Sequence, residues 1–407
     1  MNIWLINHYA GSSIHGMEYR PYYMAREWIQ LGHEVTIIAA SQSHLRNKQP
    51  NVTANKTEEV IDGVRYVWLK TPRYSGNGVG RVLNMLAFFA GLFWFYPQIK
   101  KQKAPDIVIA SSTYPLDILP AHYIARKNNA KLIFEVHDLW PLSPMELGGM
   151  SKWHPFIMGM QLAENYAYRK ANTVISMLPK ACDHMQEHGM ATEKFFYIPN
   201  GLNVGEWDAK SENLPAEHTR LFESLHTPGT FIIIYAGAHG IANALDTLID
   251  AMERLKVEKI VAVLVGQGPE KERLQQSAYD RQLSNVMFLP AVAKRIVPNI
   301  LENADALYIG WQHQNLYRFG ISPNKLFDYM MAGKPVIHSV RAGNDLVAES
   351  GCGISVPPED PQAIAEAILT MRSMSADERA AMGARGRAYV MKNHDYRVLA
   401  RKFIDSL

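Results

Sequence analysis

Lys325 and Asp328 stand one helical turn apart in the stretch Arg318-Phe-Gly-Ile-Ser-Pro-Asn-Lys-Leu-Phe-Asp-Tyr-Met-Met-Ala-Gly-Lys-Pro-Val-Ile337. That spacing puts both side chains on one face of a helix. A lysine in a first helical turn opposes the helix dipole. The cost makes sense where an anion docks, because free N–H groups at a helix start, with a cation beside them, bind phosphate. The carboxylate one turn deeper is placed to accept hydrogen bonds from ribose hydroxyls. An ordinary amphipathic helix with a solvated Lys and Asp explains the same residues, so this stretch alone leaves both readings open. Ser322 predicts an N-cap, Pro323 the first helical position and Gly333 the helix end. Leu326, Phe327, Met330 and Met331 make the face turned to a core, and Val336-Ile337 starts a strand beyond Pro335.

A second chemical candidate is the pair His137-Asp138, which follows the apolar run Leu132–Val136. A histidine just past a strand end can bond a hydroxyl or move a proton; the alternative is a histidine capping a turn through Asp138 and Pro141. Glu135 with Asp138 would resemble a carboxylate dyad, but strand alternation does not support that geometry. A third candidate is the loop from His8 to Arg20, which holds Gly11 and Gly16 and opens a helix near Pro21. Its backbone amides can approach a phosphate. The competing reading is a turn glycine beside a local Glu18–Arg20 ion pair.

These groups need a scaffold that delivers loops to one edge. Short apolar runs supply it: Ile3–Asn7, Val35–Ala39, Val64–Leu69, Ile107–Ala110, Leu132–Val136 and Val174–Ser176, then Phe231–Ala236, Ile260–Val265, Val286–Leu289, Ala306–Ile309 and Val336–Val340. Longer segments of helical periodicity lie between most of them, which predicts parallel, doubly wound sheets with ligand loops at the strand carboxyl ends. A chain of 407 residues is too long for one core and predicts two such domains. The polar segment from about 206 to Gly229 is the expected boundary, giving domains 1–205 and 206–389, with a tail from about 390 to 407 returning to the first. A capped helix is expected from Asp360 and Pro361. Hydrophobic content of 47% with 20% charged residues marks an ordinary globular chain, and a net charge of +3 gives no argument for nucleic acid. The two cysteines, Cys182 and Cys352, exclude a disulfide scaffold and fit a reducing compartment. The first residues read as a strand rather than a signal peptide.

The ending Met331-Ala-Gly-Lys-Pro-Val-Ile337 resembles the sugar-nucleotide-binding segment of family 4 of the retaining glycosyltransferases, which have the GT-B fold. Members commonly carry two glutamates there. Asp328 replaces the second, and Gly320 stands where the first would be. The resemblance covers essentially the whole chain. It implies two Rossmann-like α/β domains facing a cleft, and a nucleotide sugar as donor substrate. It further implies donor contacts from Gly16, Gly237, His239, Val292, Arg318, Gly320, Ile321, Ser322, Lys325 and Asp328, with His137, Lys325 and Asp328 in catalysis. Arg20 and Asp138 fall on the acceptor side. Tyr235-Ala-Gly-Ala-His-Gly240 is similar to the loop where members hold the diphosphate with a basic pair; no Lys or Arg stands in it, so His239 would partly substitute beside Lys325 and Arg318. Val265-Gly-Gln-Gly-Pro-Glu270 matches a family turn, and Phe288 to Val292 falls where the base is usually contacted. No Asp-x-Asp occurs, so no metal is expected at the diphosphate.

The implied function is transfer of a sugar, with retention, from a nucleotide sugar to a glycan or a polyprenyl-linked acceptor. UDP carrying an N-acetylated sugar is the expected donor, and bacterial surface polysaccharide the expected product. A nucleotide-sugar epimerase and a non-catalytic nucleotide-sugar-binding scaffold are the rivals. Residues 82–103 raise a membrane question. Val82 to Ile99 holds no charged residue, and Lys100, Lys101 and Lys103 follow. Spanning would separate strands of one sheet, which leaves a buried helix or a peripheral contact of a cytoplasmic protein with the inner face of the membrane.

Overall fold

Asn2–Ile6, the first strand (β1), is buried along its whole length. Its neighbours are β2 (Glu34–Ala40) on one side and β5 (Ile107–Ala110) on the other, both parallel to it, with Ile3 level with Val35 and Ile107. Between them in sequence come β3 (Lys56–Ile61) and β4 (Val64–Leu69), and after them β6 (Lys131–Val136), β7 (Thr173–Ser176) and β8 (Phe195–Tyr197). The sheet order is β3-β4-β2-β1-β5-β6-β7-β8. Only β3 runs antiparallel among these described strands. Strands covered on both faces read as unbroken apolar runs, which is why the central ones are legible in the sequence. β3 is an edge strand, and its Lys56-Thr-Glu-Glu carries the charges that discourage further pairing.

The second sheet is wholly parallel. β9 (Phe231–Ala236), β10 (Ile260–Val265), β11 (Val286–Leu289), β12 (Ala306–Gly310), β13 (Val336–Ser339) and β14 (Gly353–Val356) lie in the order β11-β10-β9-β12-β13-β14. The order reverses between β9 and β12. In doubly wound sheets ligands bind outside the carboxyl ends of strands at that reversal, so the loop after β9 becomes the place to look.

The structure, a computed structural model, describes residues 1–76, 78–208 and 212–407. Two units emerge: 1–200 with 319–322 and 396–407, and 201–318 with 323–395. The change therefore falls between Asn200 and Gly201, a few residues before the expected position, and residues 209–211 of the expected boundary segment lie outside the described residues. Phe319–Ser322, expected in the second domain, groups with the first. The Ser322 hydroxyl accepts the Asn200 N–H at 2.8 Å, and the Phe319 carbonyl accepts the Lys180 N–H at 2.9 Å. The returning tail begins at Tyr396, because the preceding helix Ala376–Asn393 stays with the second unit. Helix Tyr396–Asp405 packs on helix Arg20–Gln30: Tyr396 stacks on Tyr23 at 5.0 Å, and Trp28 donates its indole N–H to the Ala400 carbonyl.

Helix Val79–Lys100 is the one described helix long and apolar enough to cross a membrane. One stripe of it is core: Asn84, Met85, Phe88, Leu92, Tyr96 and Ile99 are buried. Asn84, the polar residue in the middle, bonds the His8 ring at 2.6 Å and donates to Thr71 and the Pro72 carbonyl. Those bonds tie the helix into the first unit. The opposite stripe, with Leu83, Leu86, Phe93 and Trp94, is exposed.

Candidate functional site

Helix Asn324–Met331 carries both Lys325 and Asp328. Its start differs from expectation by one residue. Pro323 is the capping position, Asn324 the first helical one, and no side chain caps the end, because proline offers no acceptor; the Ser322 hydroxyl, one residue earlier, accepts the Asn200 N–H. Gly333 takes the left-handed conformation just past the C-cap, as its lack of a side chain allows. Leu326, Phe327, Tyr329, Met330 and Met331 are buried and fix the helix against the second sheet. Tyr329 adds a polar pin: its hydroxyl accepts the Ala236 N–H at 2.7 Å and donates to the Ala236 carbonyl at 3.1 Å. The helix start is thereby held beside the end of β9.

Lys325 reaches into that corner. Its ammonium donates to the Tyr235 hydroxyl at 2.8 Å and to Asn243 Oδ1, and lies 4.6 Å from the centre of the Tyr235 ring. A Cβ on Gly237 would come within 3.2 Å of the same nitrogen, so glycine in the turn after β9 leaves the ammonium its room. No described carboxylate pairs with Lys325, and burial pulls its pKa down to about 7. Asp328, half-buried one turn on, is pushed above the usual carboxylate range by burial, against the pull of Lys294.

His239 closes the other side. The residue is fully buried, and neither ring nitrogen has a hydrogen-bond partner among the described residues. Buried polar groups are almost always bonded, which makes this ring a group built to meet something. Its Nε2 would lie 3.1 Å from a Cβ on Gly266, and that Cβ would also strike the Gly237 carbonyl at 1.9 Å; only glycine fits between the two turns. Burial, then the charges of Lys271 and Lys325, hold the His239 pKa down to about 4. The expectation that His239 replaces a missing cation is therefore corrected: near neutral pH it is an uncharged donor and acceptor. The further cation is Lys271, whose ammonium donates to the carbonyls of Gly266 at 2.9 Å and Leu289 at 3.0 Å. Phe288 faces the His239 ring at 6.1 Å, and Val292 is half-buried on the loop after β11. Arg318 is exposed in the turn Asn315–Phe319 and donates to the Asn315 carbonyl. Gly320 and Ile321 are buried in the segment that groups with the first unit.

In the first unit the carboxyl ends of β1, β5 and β6 gather a second cluster. His137 Nε2 lies 2.9 Å from Ser111 Oγ and 3.3 Å from Glu135 Oε2, and its Nδ1 lies 3.8 Å from Glu18. Burial lowers the imidazole pKa, but the hydrogen bond and charge of Glu135 and the charge of Glu18 outweigh it and leave His137 above its ordinary value. Glu135 is buried and committed. Arg20 Nε and Nη2 reach its Oε1 at 3.0 and 2.9 Å, and Ser111 Oγ donates to Oε2 at 2.6 Å. Arg20, expected on the acceptor side, is itself buried and also donates to the Ile198 and Pro199 carbonyls. Its role is corrected to that of an internal counter-ion that locks the His8–Arg20 loop to β6. Neither the Glu18–Arg20 pair nor a Glu135–Asp138 dyad forms. Asp138 is exposed beside His137. Gly16 has a φ of +90°, and Ser12 and Gly16 exchange backbone bonds that fold the loop on itself.

Two family models match the chain. One, described as "Glycosyl transferase 4-like domain", covers residues 15–201; the other, "Glycosyl transferases group 1", covers 230–373. The chain belongs to this glycosyltransferase family. The putative colanic acid biosynthesis glycosyl transferase WcaI of Escherichia coli K12 is 23% identical over 399 residues, covering 94% of this chain and 93% of that protein. Among solved structures, sucrose-phosphate synthase from Thermosynechococcus elongatus superposes with a TM-score of 0.72 at 17% identity, covering 100% of this chain and 98% of its own. The Anabaena protein HepE in complex with UDP and glucose gives 0.67 at 15% identity, covering 100% and 99%. The two α/β units, one with a mainly parallel and one with a parallel sheet, are thus the GT-B glycosyltransferase fold, and the Lys325 helix, the turn after β9 and the Gly266 turn lie within the group 1 match.

Sequence reasoning passed over Tyr235, Asn243, Lys271 and Ser111. Each contributes through a turn that brings distant positions together. The local signals were the Tyr235-Ala-Gly-Ala-His-Gly240 loop and the Val-Gly-Gln-Gly-Pro run ahead of Lys271.

Proposed function

We propose that the protein transfers a sugar, with retention of anomeric configuration, from a UDP-sugar to a growing surface glycan or its polyprenyl-linked precursor. The observation that carries this reading is the corner after β9: a half-buried ammonium with no carboxylate partner among the described residues, facing a buried imidazole whose two nitrogens have no partner there either. Such a corner suits a diphosphate. Lys325 would neutralise its charge as the bond to the sugar breaks, helped by the uncapped N–H groups at the start of helix Asn324–Met331. His239 would donate one N–H to a phosphate or sugar oxygen, and Asp328 would accept from the ribose. His137, kept protonated more readily by Glu135 and Glu18, would bond a sugar hydroxyl from the first unit. UDP is favoured because HepE was solved with it, and a surface-polysaccharide acceptor because WcaI is named for colanic acid. Retention rests on the family resemblance.

Membrane contact is part of the proposal. Helices Val79–Lys100, Ile118–Asn128 and Pro155–Lys170 are neighbours: Phe93 meets Tyr123 at 5.4 Å, and His122 bonds Tyr166. Their only acidic residue is Glu164, which is buried. Outward they carry Trp94, Tyr123, Met158 and Leu162, and Lys100 and Lys127 lie over the Tyr96 and Tyr123 rings. Exposed aromatics beside lysines without acids suit an anionic lipid surface. The placement this implies is the cytoplasmic face of a membrane that holds the acceptor.

A thermal-shift panel of UDP, GDP, ADP and dTDP tests the donor assignment. At 100 times its dissociation constant a ligand stabilises by about 2.7 kcal/mol. UDP should raise the melting temperature of the wild type, and Lys325→Ala and Asp328→Ala should each reduce the rise. Equal shifts in all three proteins would refute the site.

A further inference from the structure

In the first unit, on the side of the sheet that packs helix Pro155–Lys170, three side chains converge that the transfer reaction does not use. Glu164 projects from that helix, His184 from helix Cys182–Glu187, and His188 stands just beyond it. A carboxylate oxygen and one nitrogen from each ring all lie within 4.8 Å of one another, and no other such group of His, Cys, Asp or Glu occurs among the described residues. His184 Nε2 is 3.9 Å from Glu164 Oε1, and the two imidazole rings are 4.4 Å apart. We infer that Glu164, His184 and His188 form a site for a divalent transition metal of the zinc class.

The chemistry of the set supports this. Two histidines four residues apart on a helical turn present both rings to one point, the spacing used by helical zinc sites. Two imidazoles and one carboxylate are a known zinc donor set, with a fourth position left to water. Metal–ligand bonds of about 2.0–2.2 Å would ask these atoms to draw together by roughly an ångström, within the reach of side-chain rotation. The carboxylate is already oriented as a ligand should be. Tyr168 donates to Oε1 at 2.9 Å and Gln161 to Oε2 at 2.7 Å, leaving lone pairs of Oε1 toward the histidines. Glu164 is 2% exposed, and a buried carboxylate without a cation is costly. An ion here would clamp helix Cys182–Glu187 to helix Pro155–Lys170. It would also steady Phe319, whose ring lies 5.3 Å from that of His184. Its role is structural, so it neither requires nor replaces the diphosphate contacts of the second unit.

The test uses the full chain stripped of metal with EDTA and titrated with Zn²⁺, followed by calorimetry and by the melting temperature, with Co²⁺ absorption as a second probe. Wild type should bind one equivalent that raises the melting temperature. His188→Ala, a change at a half-buried position, should weaken that equivalent by at least about 10-fold, the least that loss of even an outer partner costs, while the metal-free protein melts as the wild type does. His313→Ala, an exposed histidine elsewhere, should bind as the wild type does. An anomalous peak between Glu164, His184 and His188 in a Zn²⁺-soaked crystal would locate the ion. Zinc affinity equal in wild type and His188→Ala, or no saturable equivalent in the wild type, would overturn the site and reduce the cluster to a histidine–glutamate contact. Sugar transfer is not a readout here, so either proposal can fail without the other.

Discussion

Lys325 makes donor binding a pH-dependent event whose size follows from its surroundings. In the free protein burial brings its pKa to about 7. A bound diphosphate restores the charge preference, so the complex holds the lysine protonated well above that value. Between the two pKa values binding takes up a proton, and affinity falls tenfold, or about 1.4 kcal/mol, for each pH unit. The free lysine is about three-quarters charged at pH 6.5 and about one-thirtieth charged at pH 8.5 if it titrates near 7, so the dissociation constant should rise roughly 25-fold across that range. A UDP-sugar is the right ligand, because both of its phosphates stay ionised throughout. Calorimetry in two buffers of different ionisation enthalpy would count the proton directly. Lys325→Arg stays charged at every working pH, so its affinity, whatever its value, should be flat. A wild-type dissociation constant that moves less than twofold, or an arginine variant with the same slope as the wild type, would show that Lys325 does not meet the phosphates.

Three other outcomes follow from the geometry. His137→Ala should lower turnover by about 10²-fold while its melting temperature stays near that of the wild type; because the His137 pKa is raised in the fold, any stability it contributes is present at low pH and lost as pH climbs past the ordinary imidazole range, which pH-dependent urea unfolding would reveal. Glu135→Gln leaves the Arg20 guanidinium buried without its counter-charge, with side chains only 1% and 3% exposed, and should cost about 3–5 kcal/mol by chemical denaturation; a loss below 1 kcal/mol would contradict the pairing. The protein should co-sediment with vesicles containing anionic lipid at low salt and be released by high salt or by replacing Lys100, Lys101 and Lys103 together; failure to sediment at low salt would leave the three-helix face an ordinary surface.

What the sequence revealed, it revealed through local physics. β1, β9 and their parallel neighbours are buried on both faces, so each is an unbroken apolar run, and the doubly wound plan follows from their alternation with helices. β3 escaped because an edge strand facing water needs no such run; its signal was instead Asp62-Gly63, the two-residue turn to β4 in which both residues take positive φ. β8 and β14 are three and four residues long and only partly buried, too little for a pattern. Lys325 and Asp328 were legible because helical spacing is local. Arg20 was misread for the opposite reason: its partners, Glu135 and the carbonyls of residues 198 and 199, lie more than a hundred residues away, and nothing near Arg20 in the chain announces a buried ion pair. His239 was found, but its charge was not, because neutrality there comes from burial and from two lysines that other elements deliver.

On the proposed function, the corner after β9 holds a donor whose sugar is passed on to an acceptor. The most direct measurement incubates the protein with UDP-linked N-acetylhexosamine or hexose donors and a polyprenyl-linked glycan, following free UDP and the lipid-linked product by mass spectrometry. The expected result is UDP release that needs the acceptor, an acceptor heavier by one sugar residue, and loss of both by about 10²-fold or more in Lys325→Ala. An isomerised donor sugar formed without acceptor, or nucleotide-sugar binding with no release under any acceptor, would contradict it.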